Sequence, residues 1–265
     1  MSNVVLLAFF ATLGTWGVTA LGAATVVFFK KTNQKVLNLM LGFAAGVMIA
    51  ASFWSLLQPA IERAKDCLKT PAFIIVSAGF LCGAMFMWVT DKIVNKARKG
   101  VGGCNSDDKL GRIILLVLSI TLHNIPEGLA VGVAFGALSG TKTTPEAVMG
   151  AITIALGIGL QNFPEGAAVS LPLRREGYNR AKSFLIGQAS GLVEPIFGVI
   201  GACLVVYIKR ILPFTLSFAA GAMILVAVHE LIPECQQNQK ASPYFATMGI
   251  VFGFAIMMLL DVALG

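Results

Sequence analysis

The sequence predicts an all-α, polytopic membrane protein with eight transmembrane helices, and three observations carry that prediction. Of 265 residues, 57% are hydrophobic and only 12% are charged, about half of the roughly 25% charge with which a soluble domain covers its surface. Mean hydropathy is +0.82. Eight apolar runs each approach the roughly 20 residues that cross a bilayer as a helix, the form in which one segment satisfies its own backbone in lipid. This composition disfavours disorder, a secreted disulfide scaffold and a nucleic-acid partner, in spite of a net charge of +7.

The first run, 4–29, is too long for a signal peptide, has no basic residue ahead of it and is followed by Lys30 and Lys31, so it is expected to remain as a span. The second, 36–61, carries Met48 and Ser55, and the third covers 72–90. Residues 92–112 follow, with Gly100, Gly102, Gly103, Asn105 and Ser106, and read as a flexible loop. The fourth and fifth spans, 113–138 and 147–173, contain Pro126 and Pro164. Each proline removes a backbone hydrogen bond and is expected to open its helix at that level. The sixth, 183–208, holds Glu194-Pro195; the seventh, 211–232, ends among His229, Glu230 and Glu234; the eighth covers 244–264. The connections are short, so 1–265 reads as one transmembrane domain.

Fourteen of the twenty Lys and Arg residues lie in the first, third, fifth and seventh connections, and six in the even ones. The positive-inside rule then places the odd connections in the cytoplasm and both termini outside. The basic pI near 9.3 therefore reports topology. The five cysteines, Cys67, Cys82, Cys104, Cys203 and Cys235, are odd in number and scattered, and read as unpaired thiols without a metal framework.

Three echoes point to an internal repeat. Residues 43–49 and 218–224 agree at all but one position; 83–91 and 253–261 share Gly, Met and Asp at the same steps. The third echo is His123-Asn-Ile-Pro-Glu-Gly128 against Gln161-Asn-Phe-Pro-Glu-Gly166. Spans 2 and 7, 3 and 8, and 4 and 5 are thus paired, always an even span with an odd one. Paired helices then cross in opposite senses, as an inverted-topology repeat requires, and such repeats place a transport site near the midplane.

Glu127, Glu165 and Glu194 lie inside spans that contain no Lys or Arg. A carboxylate at that depth needs a counter-charge or a proton, which points to a bound cation. His123 and Glu127 share one helical face, as do Gln161 and Glu165, with Asn124 and Asn162 one position round. A single buried His or Asn in a membrane helix is more often an interhelical hydrogen bond than a ligand; two copies of the motif in adjacent antiparallel helices, with a third Glu, favour a cation site. Met48 reads as packing or as a soft ligand, and Ser55 is similarly ambiguous. Carboxylates, one imidazole and amide oxygens suit zinc, with iron(II), manganese and cadmium as neighbours, whereas calcium asks for more oxygen and no histidine. His229, Glu230 and Glu234 read either as an exit site or as a solvated helix end. No resident cofactor is expected, the ion being cargo.

The paired Pro-Glu-Gly motifs resemble those of the ZIP family of divalent metal transporters, and the Gln-Asn-Phe-Pro-Glu-Gly helix resembles its GufA-like branch. The likeness covers essentially the whole chain. It implies a 3+2+3 helix arrangement, a homodimer in a plasma or inner membrane, and transport toward the cytoplasm by alternating access through a two-metal site between helices 4 and 5. It also implies one ion held by Met48, His123, Glu127, Gln161 and Glu165. A second would be bridged by Glu127 and Glu165 and completed by Asn124, Asn162 and Glu194, with His229 and Glu230 on the release side. Two departures stand out. Some relatives carry Asp where Asn162 stands, which weakens the second site, and the loop has Cys104, Asp107 and Asp108 in place of a histidine cluster. A passive metal channel is the alternative on the same site. An intramembrane metal hydrolase is disfavoured, because two histidines far apart in sequence make no catalytic zinc triad.

Overall fold

The computed structural model describes residues 2–28, 33–67, 71–101, 109–139, 144–175, 177–236 and 244–264. Among them there is no strand. Eight helices follow one another: α1 Ser2–Phe28; α2, built from Gln34–Ala51, a π-turn Ser52–Leu57 and Gln58–Cys67; α3 Ala72–Val101; α4 Lys109–Gly136; and α5 Pro145–Arg175. The sixth, α6, joins Arg180–Ala189, a 3₁₀ turn Ser190–Leu192 and Val193–Tyr207. The seventh, α7, joins Leu212–Val226, a π-turn Ala227–Leu231 and Ile232–Gln236, and α8 is Tyr244–Leu264. Among the described residues seven helices are long and apolar enough to cross a membrane; α4, with 28 residues, is the eighth of the set.

Helix starts and stops follow local chemistry. The Asn33 side chain accepts the Lys35 amide at 3.0 Å ahead of α2, and that of Asn179 accepts the Lys182 amide at 2.7 Å ahead of α6, each satisfying an orphan donor of the first turn. Pro145 opens α5, where its missing N–H costs nothing. Gly177, with φ of 96°, turns the chain between α5 and α6 in the left-handed region that side chains avoid.

The helix bounds differ from the hydropathy reading in an instructive way. α3 continues past Thr90 to Val101, and α4 already begins at Lys109, so much of the stretch read as loop is helical; Cys104, Asp107 and Asp108 lie outside the described residues. Hydropathy reports where lipid ends, whereas a helix ends where its hydrogen bonds do. The expected opening at the prolines is also corrected. α4 runs through Pro126 and α5 through Pro164, because a proline deletes a single donor while neighbouring bonds and packed helices hold the segment. The departures from α geometry fall elsewhere, at Ser52–Leu57, Ser190–Leu192 and Ala227–Leu231.

The packing carries the inverted repeat atom by atom. Gly253 of α8 lies against the Phe43 carbonyl of α2, and Gly83 of α3 against the Phe218 carbonyl of α7. Gly46 meets the Ile250 carbonyl, and Gly221 the Phe80 carbonyl. Each contact maps onto its mate by the shift that carries Phe43 onto Phe218 and Gly83 onto Gly253. The same α2-to-α7 shift relates the two π-turns, and it adds the missing pair: Gly166 of α5 rests on the Thr19 carbonyl of α1, and Gly128 of α4 on the Glu194 carbonyl of α6. Helices 1–3 therefore repeat as 6–8 around the α4/α5 pair, the 3+2+3 arrangement. A glycine at each crossing lets two backbones touch, the packing that membrane helices use where burial from water drives nothing. The closest partnerships are α2 with α8, α1 with α5, α4 with α6 and α3 with α7, and α1, α4, α5 and α6 also pack on one another. The largest apolar cluster, which includes Met48, Met87, Val131, Ile158 and Met257, lies between these groups.

Candidate metal centre

The motif residues of α4 and α5 and the acid of α6 meet in the interior. His123, Asn124, Glu127, Gln161, Asn162, Glu165 and Glu194 are all buried. Gly128 and Gly166 place α6 and α1 directly against the motif helices, which is why Glu194 arrives beside residues far from it in sequence. Met48 is fully buried in the principal apolar cluster.

The polar contacts are specific. Gln161 donates its amide to Glu127 Oε1. Asn124 donates to the Ser190 carbonyl at 3.0 Å, in the 3₁₀ turn that precedes Glu194. Asn162 donates to both Glu194 oxygens at 2.9 Å and to the Thr15 carbonyl at 3.2 Å. The Thr15 hydroxyl donates to Glu194 Oε2 at 2.5 Å, and that of Thr19 to Oε1 at 3.3 Å. Each amide has thus spent its N–H on a protein acceptor. Its oxygen is left over: Asn124 Oδ1, Gln161 Oε1, Asn162 Oδ1 and also Glu127 Oε2 are buried without a hydrogen-bond partner. Orphaned buried acceptors are uncommon, and each needs an explanation.

Negative charge is concentrated here. Glu127 feels Glu165 and Glu194, and Glu165 feels Glu194 and Glu230. His123 Nε2 lies 2.6 Å from Glu230 Oε1, so a residue read as release-side is joined directly to the centre. His229, largely exposed, lies 3.3 Å from Asp91, and Glu234 stands on the surface beyond it. Across the repeat, Asp261 accepts from Ser55 at 2.6 Å. That pair, with Glu62 and Glu146, lines a cavity of about 340 Å³ between α2, α4, α5, α7 and α8. Each π-turn therefore faces an aspartate of the helix packed on it.

Among the described residues, three or more His, Cys, Asp or Glu do not converge on one ligating point. The reason is visible in the bonding: Glu194 is engaged by α1 and Asn162, and His123 by Glu230. Amide and carboxylate oxygens make up the remaining acceptor set. The sequence reading missed Thr15 and Thr19. The signal was there, since Thr12, Thr15 and Thr19 recur along one face of an otherwise apolar helix and are all buried. Cys82, Cys203 and Cys235 are free thiols; the side chains of Cys67 and Cys104 lie outside the described residues.

A family model described as ZIP Zinc transporter matches residues 2–112 and 108–261. The chain is 40% identical to "Zinc transporter ZIP11" of Xenopus tropicalis, over 98% of both chains. It is 35% identical to "Zinc transporter GufA" of Myxococcus xanthus, over 93% of this chain and 94% of that one. It is 36% identical to "Zinc transporter ZIPB" of Bordetella bronchiseptica, over 93% of this chain and 78% of that one.

Proposed function

The chain belongs to the ZIP family of metal-ion transporters, and from that premise we propose that it moves divalent transition-metal ions, zinc first, toward the cytoplasm through a site between α4 and α5. The observation that carries the reading is the set of four buried, unpartnered oxygens on Asn124, Glu127, Gln161 and Asn162. A metal cation satisfies such acceptors, and neutral protein surroundings do not. Glu127, Glu165 and Gln161 form the heart of the site. His123 joins them when it leaves Glu230, Met48 reaches in from α2, and Asn124 and Asn162 line the adjoining side.

The ion enters through the cavity beside Ser55 and Asp261 and leaves past Glu230 and His229. In this proposal α1, α4, α5 and α6 move against α2, α3, α7 and α8, the alternating access that inverted repeats support. The odd connections face the cytoplasm and the termini lie outside. In support, the Lys35 ammonium sits 5.8 Å from the Phe245 ring centre, which brings the first and seventh connections to one face. The protein acts as a homodimer in a plasma or inner membrane, and iron(II), manganese and cadmium compete with zinc.

The test is zinc uptake into proteoliposomes, wild type beside Glu127→Ala and Glu165→Ala, with the other three metals as competitors. Saturable uptake absent from both variants supports the site. Full uptake by a folded Glu127→Ala protein overturns it, and current through single open pores replaces alternating access with a channel.

A further inference from the structure

Glu194 is held differently from the other acids of the centre. Its two oxygens receive the Thr15 hydroxyl at 2.5 Å, the Thr19 hydroxyl at 3.3 Å and the Asn162 amide at 2.9 Å each, and neither oxygen is among the unpartnered atoms, whereas Glu127 Oε2 is. A carboxylate only accepts, so the Asn162 nitrogen must face it and the Asn162 oxygen must face away. Thr15 also lies 3.0 Å from the Thr12 carbonyl, but its single proton goes to the closer and charged acceptor. The space above the acid is closed as well. A Cβ placed on Gly191 would stand 3.0 Å from Glu194 Oε1 and 3.1 Å from Thr19 Oγ1.

We infer that Thr15, Thr19 and Asn162 hold Glu194 in place of a second metal ion, so that this centre binds one ion per chain and Glu194 is a positioning residue that ties α6 to α1 and α5. The inference rests on the proposed site between α4 and α5. Its chemistry is that of a buried anion, which must be met by a cation or by a full set of donors; three neutral donors supply here what a cation supplies elsewhere. An aspartate at 162 would reverse the arrangement. It brings no donor, sets two carboxylates face to face and leaves a cation as their relief.

The experiment counts zinc bound per chain at equilibrium by purified protein in detergent. Wild type is expected to bind one ion and Glu127→Ala none, while Glu194→Gln still binds one. Asn162→Asp is expected to bind two. The isosteric pair Thr15→Val with Thr19→Val also gains a second ion, which disappears when Glu194→Gln is added, whereas Thr15→Ser with Thr19→Ser stays at one. A packing role alone would not separate the valine pair from the serine pair. Two ions on wild type, one of them lost in Glu194→Gln, overturn the inference and leave the α4/α5 site standing. A valine pair that matches wild type overturns the part given to the threonines, and no zinc on folded wild type overturns both readings.

Discussion

Glu127→Gln separates a ligand from a structural residue, because the two roles move stability in opposite directions. The side chain is fully buried, one of its oxygens accepts from Gln161 and the other has no partner. Glu165 and Glu194 repel its charge. Without metal, then, the carboxylate is a liability, and a neutral amide of the same shape removes the repulsion. The metal-free variant is expected to melt at the wild-type temperature or above it. With metal the sign reverses. Removing one member of a close buried charge pair costs about 2–5 kcal/mol, and at about 1.4 kcal/mol per decade even the low end weakens zinc binding roughly 30-fold. At free zinc about 100 times the wild-type Kd, ligand stabilisation is about 2.7 kcal/mol for wild type and falls to about 0.9 kcal/mol or less for the variant. Thermal melts with and without zinc measure both numbers, and proteoliposome uptake should fall in parallel. A Glu127→Gln protein that loses stability without metal yet keeps its zinc-induced shift would refute the argument, since it would make the residue a structural one.

Three further outcomes follow from particular contacts. Gly46→Ala and Gly221→Ala each press a methyl into a facing carbonyl and should destabilise by about 1–3 kcal/mol, while Gly14→Ala, with nothing within 4 Å, should be neutral in the same melts. The Asp91 side chain is mostly buried but its partner His229 is largely exposed, so Asp91→Asn should cost about 1 kcal/mol, and zinc uptake reduced without a matching loss of stability reports ion release and not folding. Acidifying the outside should slow uptake reversibly, because Glu127 and Glu165 must be deprotonated to bind metal; initial rates at fixed internal pH check the direction, and acceleration on acidification would count against carboxylate ligands.

What could be read from the sequence was whatever lipid makes expensive. Runs of apolar residues, and Glu127, Glu165 and Glu194 in spans without a basic residue, are strong signals because a bilayer penalises the alternatives. The repeat was legible for the same reason, through the paired motif and through glycines that only backbone contact requires. Thr15 and Thr19 left only a faint signal in their spacing, since a threonine costs little in a membrane helix and can satisfy itself on the preceding turn; only the fold shows Glu194 opposite them. The π-turns at 52–57 and 227–231 were not legible: Pro59 and Pro233 follow them by two residues, but Pro126 and Pro164 lie in helices without such a turn. Pro126 and Pro164 misled in turn, since α4 and α5 stay helical through them.

The repeat also shows where the two halves stop being alike, and that difference has a direction. Asn124 and Asn162, and Glu127 and Glu165, are repeat mates, but His123 has Gln161 as its mate. Gln161 binds Glu127, so symmetry would join His123 to Glu165. Instead His123 lies 2.6 Å from Glu230, on the π-turn of α7. Inverted repeats exchange the conformations of their halves during transport, so His123 is expected to pass between Glu230 and the ion beside Glu165. Glu230 then competes with the metal for the imidazole. A hydrogen bond to a charged group is worth about 1.5–3 kcal/mol, so removing the competing charge in Glu230→Gln should tighten equilibrium zinc binding about tenfold or more. The same change should slow turnover, because nothing then draws His123 off the ion. Binding isotherms and maximal uptake rates, measured on the same preparation, must move in opposite directions; weaker binding in Glu230→Gln would make Glu230 a ligand in its own right and remove the competition.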